Sequence, residues 1–221
     1  MTYNVQLIST LSMLMVITSF AAVEARNLRY ATAAYVAQAL LICSLLLAYS
    51  VANHALILWA VTALITKAML TPMFLWGAIK YTGDQETRPI IGFGPSVVVA
   101  IVVMVLFYNL THRHASFLAP TPAAEQEVIR TNLSVAFTVF AIGLYGILTR
   151  RDAIKTVIGL CLLENGVHLS LVSLAPMMKE TALAGIATEV VITVYLLLYI
   201  ISRVQEEFGS TDTFKLSELH W

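Results

Sequence analysis

Charge is what this chain most lacks. Aspartate, glutamate, lysine and arginine make up 12% of its 221 residues, hydrophobic residues make up 59%, and mean hydropathy is +0.82. A soluble domain is about a quarter charged. Half that density does not cover a water-soluble globule, and disorder has the reverse composition. An excess of either sign is also missing. The 13 basic and 13 acidic residues cancel, which removes the electrostatic support for a nucleic-acid partner. Cysteine is scarce as well. Cys43 and Cys161 build neither a disulfide scaffold nor a four-thiolate metal site. With no Cys-x-x-Cys spacing, the chain cannot hold an iron–sulfur or nickel–iron centre. No P-loop or other Gly-rich nucleotide loop occurs.

Long apolar runs are what the sequence does have. About 20 mostly apolar residues cross a bilayer, and seven such stretches lie at roughly 5–23, 32–52, 55–78, 92–110, 131–149, 153–174 and 182–202. They are continuous and too long for the alternating strands of a membrane β-barrel. The expected fold is therefore all-α, a polytopic integral membrane protein of about seven transmembrane helices. The first stretch lacks a basic start and exceeds a usual signal-peptide core, so it reads as a retained span.

Basic residues orient the chain. Arg26, Arg29, Lys80, Arg88, Arg150, Arg151, Lys155, Arg203 and Lys215 fall on one face, nine of the 13. Arg113, Arg130 and Lys179 fall on the other, and Lys67 lies within a span. The bias puts the N-terminus outside and the C-terminus in the cytoplasm. The longest connection, 111–130, is read as a periplasmic loop. It divides a four-helix extension (1–110) from a three-helix unit (131–202), which a cytoplasmic tail (203–221) follows. The tail sets Phe208, Phe214, Leu216, Leu219 and Trp221 among polar residues, as either a frayed terminus or a docking segment for a neighbouring subunit.

Three charged residues sit where lipid should be: Lys67, Glu164 and Glu189. An ion at mid-bilayer costs about 2.5–3.5 kcal/mol on insertion scales, so such residues normally face a protein interior or wet cavity and carry a function. At 1.5 Å per residue, Lys67 is about 18 Å in from the outer face and Glu164 about 16 Å in from the cytoplasmic face. His168 follows one turn beyond Glu164, and Glu189 lies about 10 Å from the outer face. All four are expected at staggered heights. Glu164 and His168 are four apart and share a helix face. Asn165 adds a donor and an acceptor, and Gly166 permits close helix approach. Lys67 stands in Thr66-Lys67-Ala68-Met69-Leu70-Thr71-Pro72. Pro72 has no N–H and clashes with the carbonyl of residue 68, so a kinked helix with a freed carbonyl is expected beside the lysine. Burial disfavours the charged forms of acids and bases alike. Acids and a base at such depth are therefore the expected parts of a proton relay. The residues equally leave open static pairs that clasp helices together. No third or fourth ligand suits a metal site. His168 is the one clearly intramembrane histidine, with His54 at a span end, so haem is not expected and redox chemistry belongs to a partner.

The block Thr66–Pro72, the block Gly159-Leu-Cys-Leu-Leu-Glu164-Asn165-Gly166-Val-His168-Leu-Ser-Leu171 and the block Gly185-Ile-Ala-Thr-Glu189-Val-Val-Ile192 resemble the membrane component E family of hydrogenase 4. That family belongs to formate hydrogenlyase and related group 4 nickel–iron hydrogenase assemblies. The resemblance runs over essentially the whole chain. Glu-Asn-Gly-x-His, preceded by Arg150-Arg151-Asp152 at the span entrance, is its most specific part. The last three spans also resemble the small three-helix subunit of respiratory complex I and the C subunit of multi-subunit sodium/proton antiporters. There, an acid in the middle helix and one in the last belong to the membrane proton path. Glu164 and Glu189 match these by position; the four N-terminal spans, with Lys67, are an extension.

The resemblance implies a non-catalytic subunit of an oxidoreductase complex in the inner (cytoplasmic) membrane. Its partners would be antiporter-like membrane subunits, a quinone-site-like membrane subunit and a peripheral hydrogenase arm. Nickel–iron and iron–sulfur centres would lie in those partner subunits, with no cofactor in this chain. Glu164, Glu189, Lys67 and His168 would form the proton relay, supported by Asn165, Pro72 and Thr66. A structural adaptor in the same complex, and a subunit of a cation/proton antiporter without hydrogenase, are the alternatives.

Overall fold

The computed structural model describes residues 4–51, 53–83, 87, 89–175 and 180–209, apart from the side chains of Ala123, residues 180–190 and Phe208. In chain order it comprises α1 (Val5–Glu24), α2 (Leu28–Tyr49), α3 (Ala55–Ala63), a π-helical segment (Leu64–Leu70), α4 (Thr71–Thr82), α5 (Phe93–Arg113), the short α6 (Ala115–Leu118), a 3-10 turn (Pro122–Glu125), α7 (Glu127–Thr149), α8 (Ala153–Leu174) and α9 (Glu180–Phe208). α3, the π segment and α4 run on as one 28-residue rod. Among the described residues, six rods are long and apolar enough to cross a membrane: α1, α2, Ala55–Thr82, α5, α7 and α8. The 29-residue α9 occupies the seventh expected stretch. The all-α, polytopic expectation holds.

Caps set several helix starts. Asn4, Asn27 and Asp152 accept from Leu7 N (3.2 Å), Arg29 N (2.8 Å) and Lys155 N (3.0 Å) respectively, satisfying amide groups that a first helical turn leaves open. Asn27 thus starts α2 at Leu28, four residues before the apolar run seen in the sequence. The 111–130 connection is more ordered than a loop: α5 runs on to Arg113, and α6 and the 3-10 turn fill most of the remainder.

α7 and α8 pack most extensively among the described elements, and their backbones approach closely. A Cβ on Gly143 would stand 2.7 Å from the Gly159 carbonyl, and one on Gly166 would stand 2.6 Å from the Ala136 carbonyl. Only glycine lets these backbones meet. α1 lies against α2, α7 and α8, and its inward face carries Ser12, Ser19 and Glu24, all buried. Each meets polar partners at a different height. Ser12 Oγ donates to Asn132 Oδ1 (2.6 Å), whose amide donates to the Tyr49 hydroxyl (2.6 Å). Glu24 pairs with Arg150 (Oε1–Nη2 2.6 Å) and accepts from Ser96 Oγ (2.9 Å), which also meets the Tyr145 hydroxyl (2.9 Å). Lys155 Nζ donates to the Ala22 and Val23 carbonyls (2.7 and 2.9 Å). A cation there satisfies orphan carbonyls and faces the negative end of the α1 dipole. In the sequence, Arg150 and Lys155 read as orienting charges in a loop and at a span end. Here both are buried, at 3% and 2% exposure.

Candidate functional site

Two of the three misplaced charges, Lys67 and Glu164, meet inside the bundle. The rod Ala55–Thr82 leaves α geometry over Leu64–Leu70, where Thr71 N donates to the Thr66 carbonyl five residues back. The segment ends just before Pro72, which has no N–H to continue an α ladder. The kink expected at Pro72 therefore takes the form of a π turn, a feature frequent at functional positions. Lys67 is the buried residue of that turn.

Lys67 Nζ meets three acceptors: Asn165 Oδ1 at 2.6 Å, His168 Nδ1 at 2.7 Å and Glu164 Oε1 at 2.9 Å. An ammonium group has three N–H bonds and no lone pair, so three acceptors match the protonated lysine. Because His168 Nδ1 accepts, its ring hydrogen belongs on Nε2. Nε2 stands 3.3 Å from Glu164 Oε1, closing a triangle of lysine, carboxylate and imidazole. Trp59 sets its ring edge-on to His168, with centroids 5.3 Å apart. The Lys67 side chain is 1% exposed and that of Glu164 is 21% exposed. The cluster is thus closed around the lysine and open at the acid.

Asn165 continues the network away from the lysine. Its amide donates to Gln38 Oε1 (2.9 Å), and the Gln38 amide donates to Ser19 Oγ. Ser19 Oγ donates to the Met15 carbonyl (2.6 Å). Four elements therefore meet here: α1, α2, the π turn and α8.

The sequence-derived candidates fall as follows. Lys67, Glu164, Asn165 and His168 converge in one cluster, their polar ends meeting although Glu164 and His168 stand one helical turn apart on α8. Thr66 turns its hydroxyl to the Thr62 carbonyl of its own helix (2.9 Å), and Pro72 bounds the π turn. Glu189 lies within α9, but its side chain is outside the described residues. Ser19, Gln38 and Trp59 were not singled out. Gln38 carried the one readable signal, a carboxamide centred in an apolar run. Among the described residues, no three His, Cys, Asp or Glu side chains stand together as a metal site.

Comparison with known proteins agrees with the resemblance. The family described as NADH-ubiquinone/plastoquinone oxidoreductase chain 4L matches residues 132–221. Hydrogenase-4 component E of Escherichia coli K12 is 26% identical over 215 residues, covering 96% of this chain and 97% of the relative. NAD(P)H-quinone oxidoreductase subunit 4L of a Nostoc species is 36% identical over 67 residues, 30% of this chain and 66% of the relative. An uncharacterized protein of Mycobacterium tuberculosis is 24% identical over 169 residues, 76% of this chain and 74% of the relative. No solved structure matches. The Lys67–Glu164–His168 layer thus sits in a chain similar to hydrogenase-4 component E along nearly its whole length and, over its C-terminal part, to complex I chain 4L.

Proposed function

We propose that this chain is an integral membrane subunit of a complex-I-like hydrogenase, and that its central cluster is a protonatable station in a membrane proton path. The observation that carries the reading is Lys67: a fully buried lysine, three-fold satisfied, in contact with Glu164 within a rod long and apolar enough to cross a membrane. The Glu164 side chain is the one member of the three that is partly exposed, at 21%, while Lys67 and His168 are enclosed, so it is the member that the surroundings can reach. A proton arriving at Glu164 weakens its attraction to Lys67, and its departure restores the pair. His168, holding its hydrogen on Nε2, aims that hydrogen at the Glu164 carboxylate and supports its ionised form. Glu189, on the neighbouring α9, is the second acid of the path. The redox centres, nickel–iron and iron–sulfur, belong to a peripheral hydrogenase arm. Antiporter-like and quinone-site-like subunits are the membrane neighbours, in a formate hydrogenlyase type of assembly in the inner membrane.

The test is Glu164→Gln in the assembled complex. Hydrogen turnover that persists while proton translocation falls at least tenfold supports the station. Unchanged translocation in both Glu164→Gln and Glu189→Gln would sink it. The completeness of Lys67's partner set also favours a second reading, a static clasp in an adaptor subunit. On that reading the same variants lose the complex on native electrophoresis and leave coupling intact in whatever assembles.

A further inference from the structure

The hydrogen bonds around Lys67 have a direction that originates outside the cluster. Ser19 Oγ gives its single hydrogen to the Met15 carbonyl, a main-chain acceptor that cannot reverse. The Ser19 oxygen is thereby left as an acceptor for the Gln38 amide. Gln38, with its NH2 end committed to Ser19, turns Oε1 toward Asn165. Asn165, with its NH2 end committed to Gln38, turns Oδ1 toward Lys67. One carbonyl in α1 thus fixes, through two amides, that Lys67 faces an oxygen and not an NH2 group. Ser19, Gln38, Asn165 and Lys67 are all 0% exposed, so water does not compete for these orientations.

The direction matters because an amide presents opposite dipole ends to its two neighbours. An oxygen facing Nζ stabilises the ammonium; an NH2 group facing it repels the charge. Asn165's two ends are nearly isosteric, so its neighbours orient it: the ammonium draws Oδ1 from one side, and the hydrogen-bonded chain from α1 and α2 holds the NH2 end from the other. Those two helices lie outside the 132–221 segment that matches chain 4L.

We propose that Gln38, backed by Ser19, is a positioning residue that keeps Lys67 charged and directed at Glu164. The N-terminal helices would then serve to hold a fixed cation beside the acid of the C-terminal unit. This rests on the reading of the cluster as a proton station, and it deepens that reading by saying what sets the station's charge.

The test is solid-state NMR of the full-length chain in lipid bilayers with 15N-labelled lysine. The Lys67 side-chain signal is assigned by its loss in Lys67→Met. In the wild type the pH at which it passes from ammonium to amine is recorded as the reference. In Gln38→Leu, which releases Asn165 to flip, it is expected to convert to amine about one pH unit lower or more, since a hydrogen bond to the charged form favours that form. Ser19→Ala is expected to move it in the same direction, and Ser19→Thr, which keeps the hydroxyl, to leave it in place. A Lys67 titration unchanged in both Gln38→Leu and Ser19→Ala overturns the proposal. Should Gln38→Leu fail to fold, the Ser19 pair decides alone. Proton translocation is read in parallel in the assembled complex. Translocation unaffected by Lys67→Met sinks the station while the NMR result stands, so the two failures are distinguishable. With the station intact, Gln38→Leu should have no further effect in a Lys67→Met background. A further loss there would mean that Gln38 acts by another route.

Discussion

Lys67 Nζ stands 2.9 Å from Glu164 Oε1, although the two residues lie on opposite sides of the 111–130 connection. The contact joins the four-helix N-terminal part to the segment similar to chain 4L. Removing Glu164 takes the carboxylate from a buried ammonium, and removing Lys67 leaves Glu164 with His168 in place of the lysine.

Lys67→Met should therefore destabilise the chain by about 3 kcal/mol, the low end for breaking a buried pair, because Glu164 retains some exposure. Lys67→Met with Glu164→Gln should cost clearly less than the two single changes added together. Thermal unfolding in detergent, followed by size-exclusion fluorescence, reads the cycle. Additive losses would show that the pair is not coupled.

The second buried pair makes a parallel case. Arg150→Met strands Glu24 among Ser96 and Tyr145 and should lower stability by about 3 kcal/mol. Arg150→Lys keeps the charge but loses the planar fork and should fall between. The same unfolding assay orders the three proteins. Equal midpoints for Arg150→Met and wild type would contradict a structural role for the pair.

Close approach of α7 and α8 predicts a steep size dependence. Gly166→Ala puts a methyl 2.6 Å from the Ala136 carbonyl and should cost about 1–3 kcal/mol through overpacking. Gly77→Ala, whose added Cβ meets nothing within 4 Å, is the control and should be near neutral. Yield of monodisperse protein after mild-detergent extraction distinguishes them.

Lys155→Met removes both donors from the Ala22 and Val23 carbonyls at the end of α1. Leaving these buried acceptors open should cost about 1–3 kcal/mol. Hydrogen exchange of the last turn of α1 should rise in that variant. Exchange that stays at the wild-type rate would mean that those carbonyls find other donors.

Much of the fold was legible because lipid writes a strong signal. Continuous apolar runs located α1, α2, α5, α7 and α8 to within a few residues. The errors at their ends came from Asn27, whose cap extends a helix beyond its apolar run, and from the helical turns within 111–130. Glu164 and His168 were legible as a pair because four-residue spacing fixes a shared face. Their meeting with Lys67 was not. That contact depends on how the π turn rotates one helix and on how Gly166 draws α7 against α8, neither of which periodicity encodes. Arg150 shows the opposite failure. Its position at a span end marked it as an orienting charge and hid a buried pair with a glutamate at the end of the first helix. Gln38 and Asn132 are uncharged, and a count of charges in apolar runs passes over them.

The π turn at Leu64–Leu70 has one more consequence. It amounts to a single extra residue carried inside a helix. Deleting Thr71, between Lys67 and Pro72, would return the rod to regular α geometry with every apolar side chain retained. It would also swing Lys67 about 100° around the rod relative to α4, the angle of one helical residue. The lysine would then leave Glu164 and face another side of the bundle. The length of this seven-residue segment, as much as its composition, is therefore under constraint, and a shortened relative would keep the lysine while losing its contact.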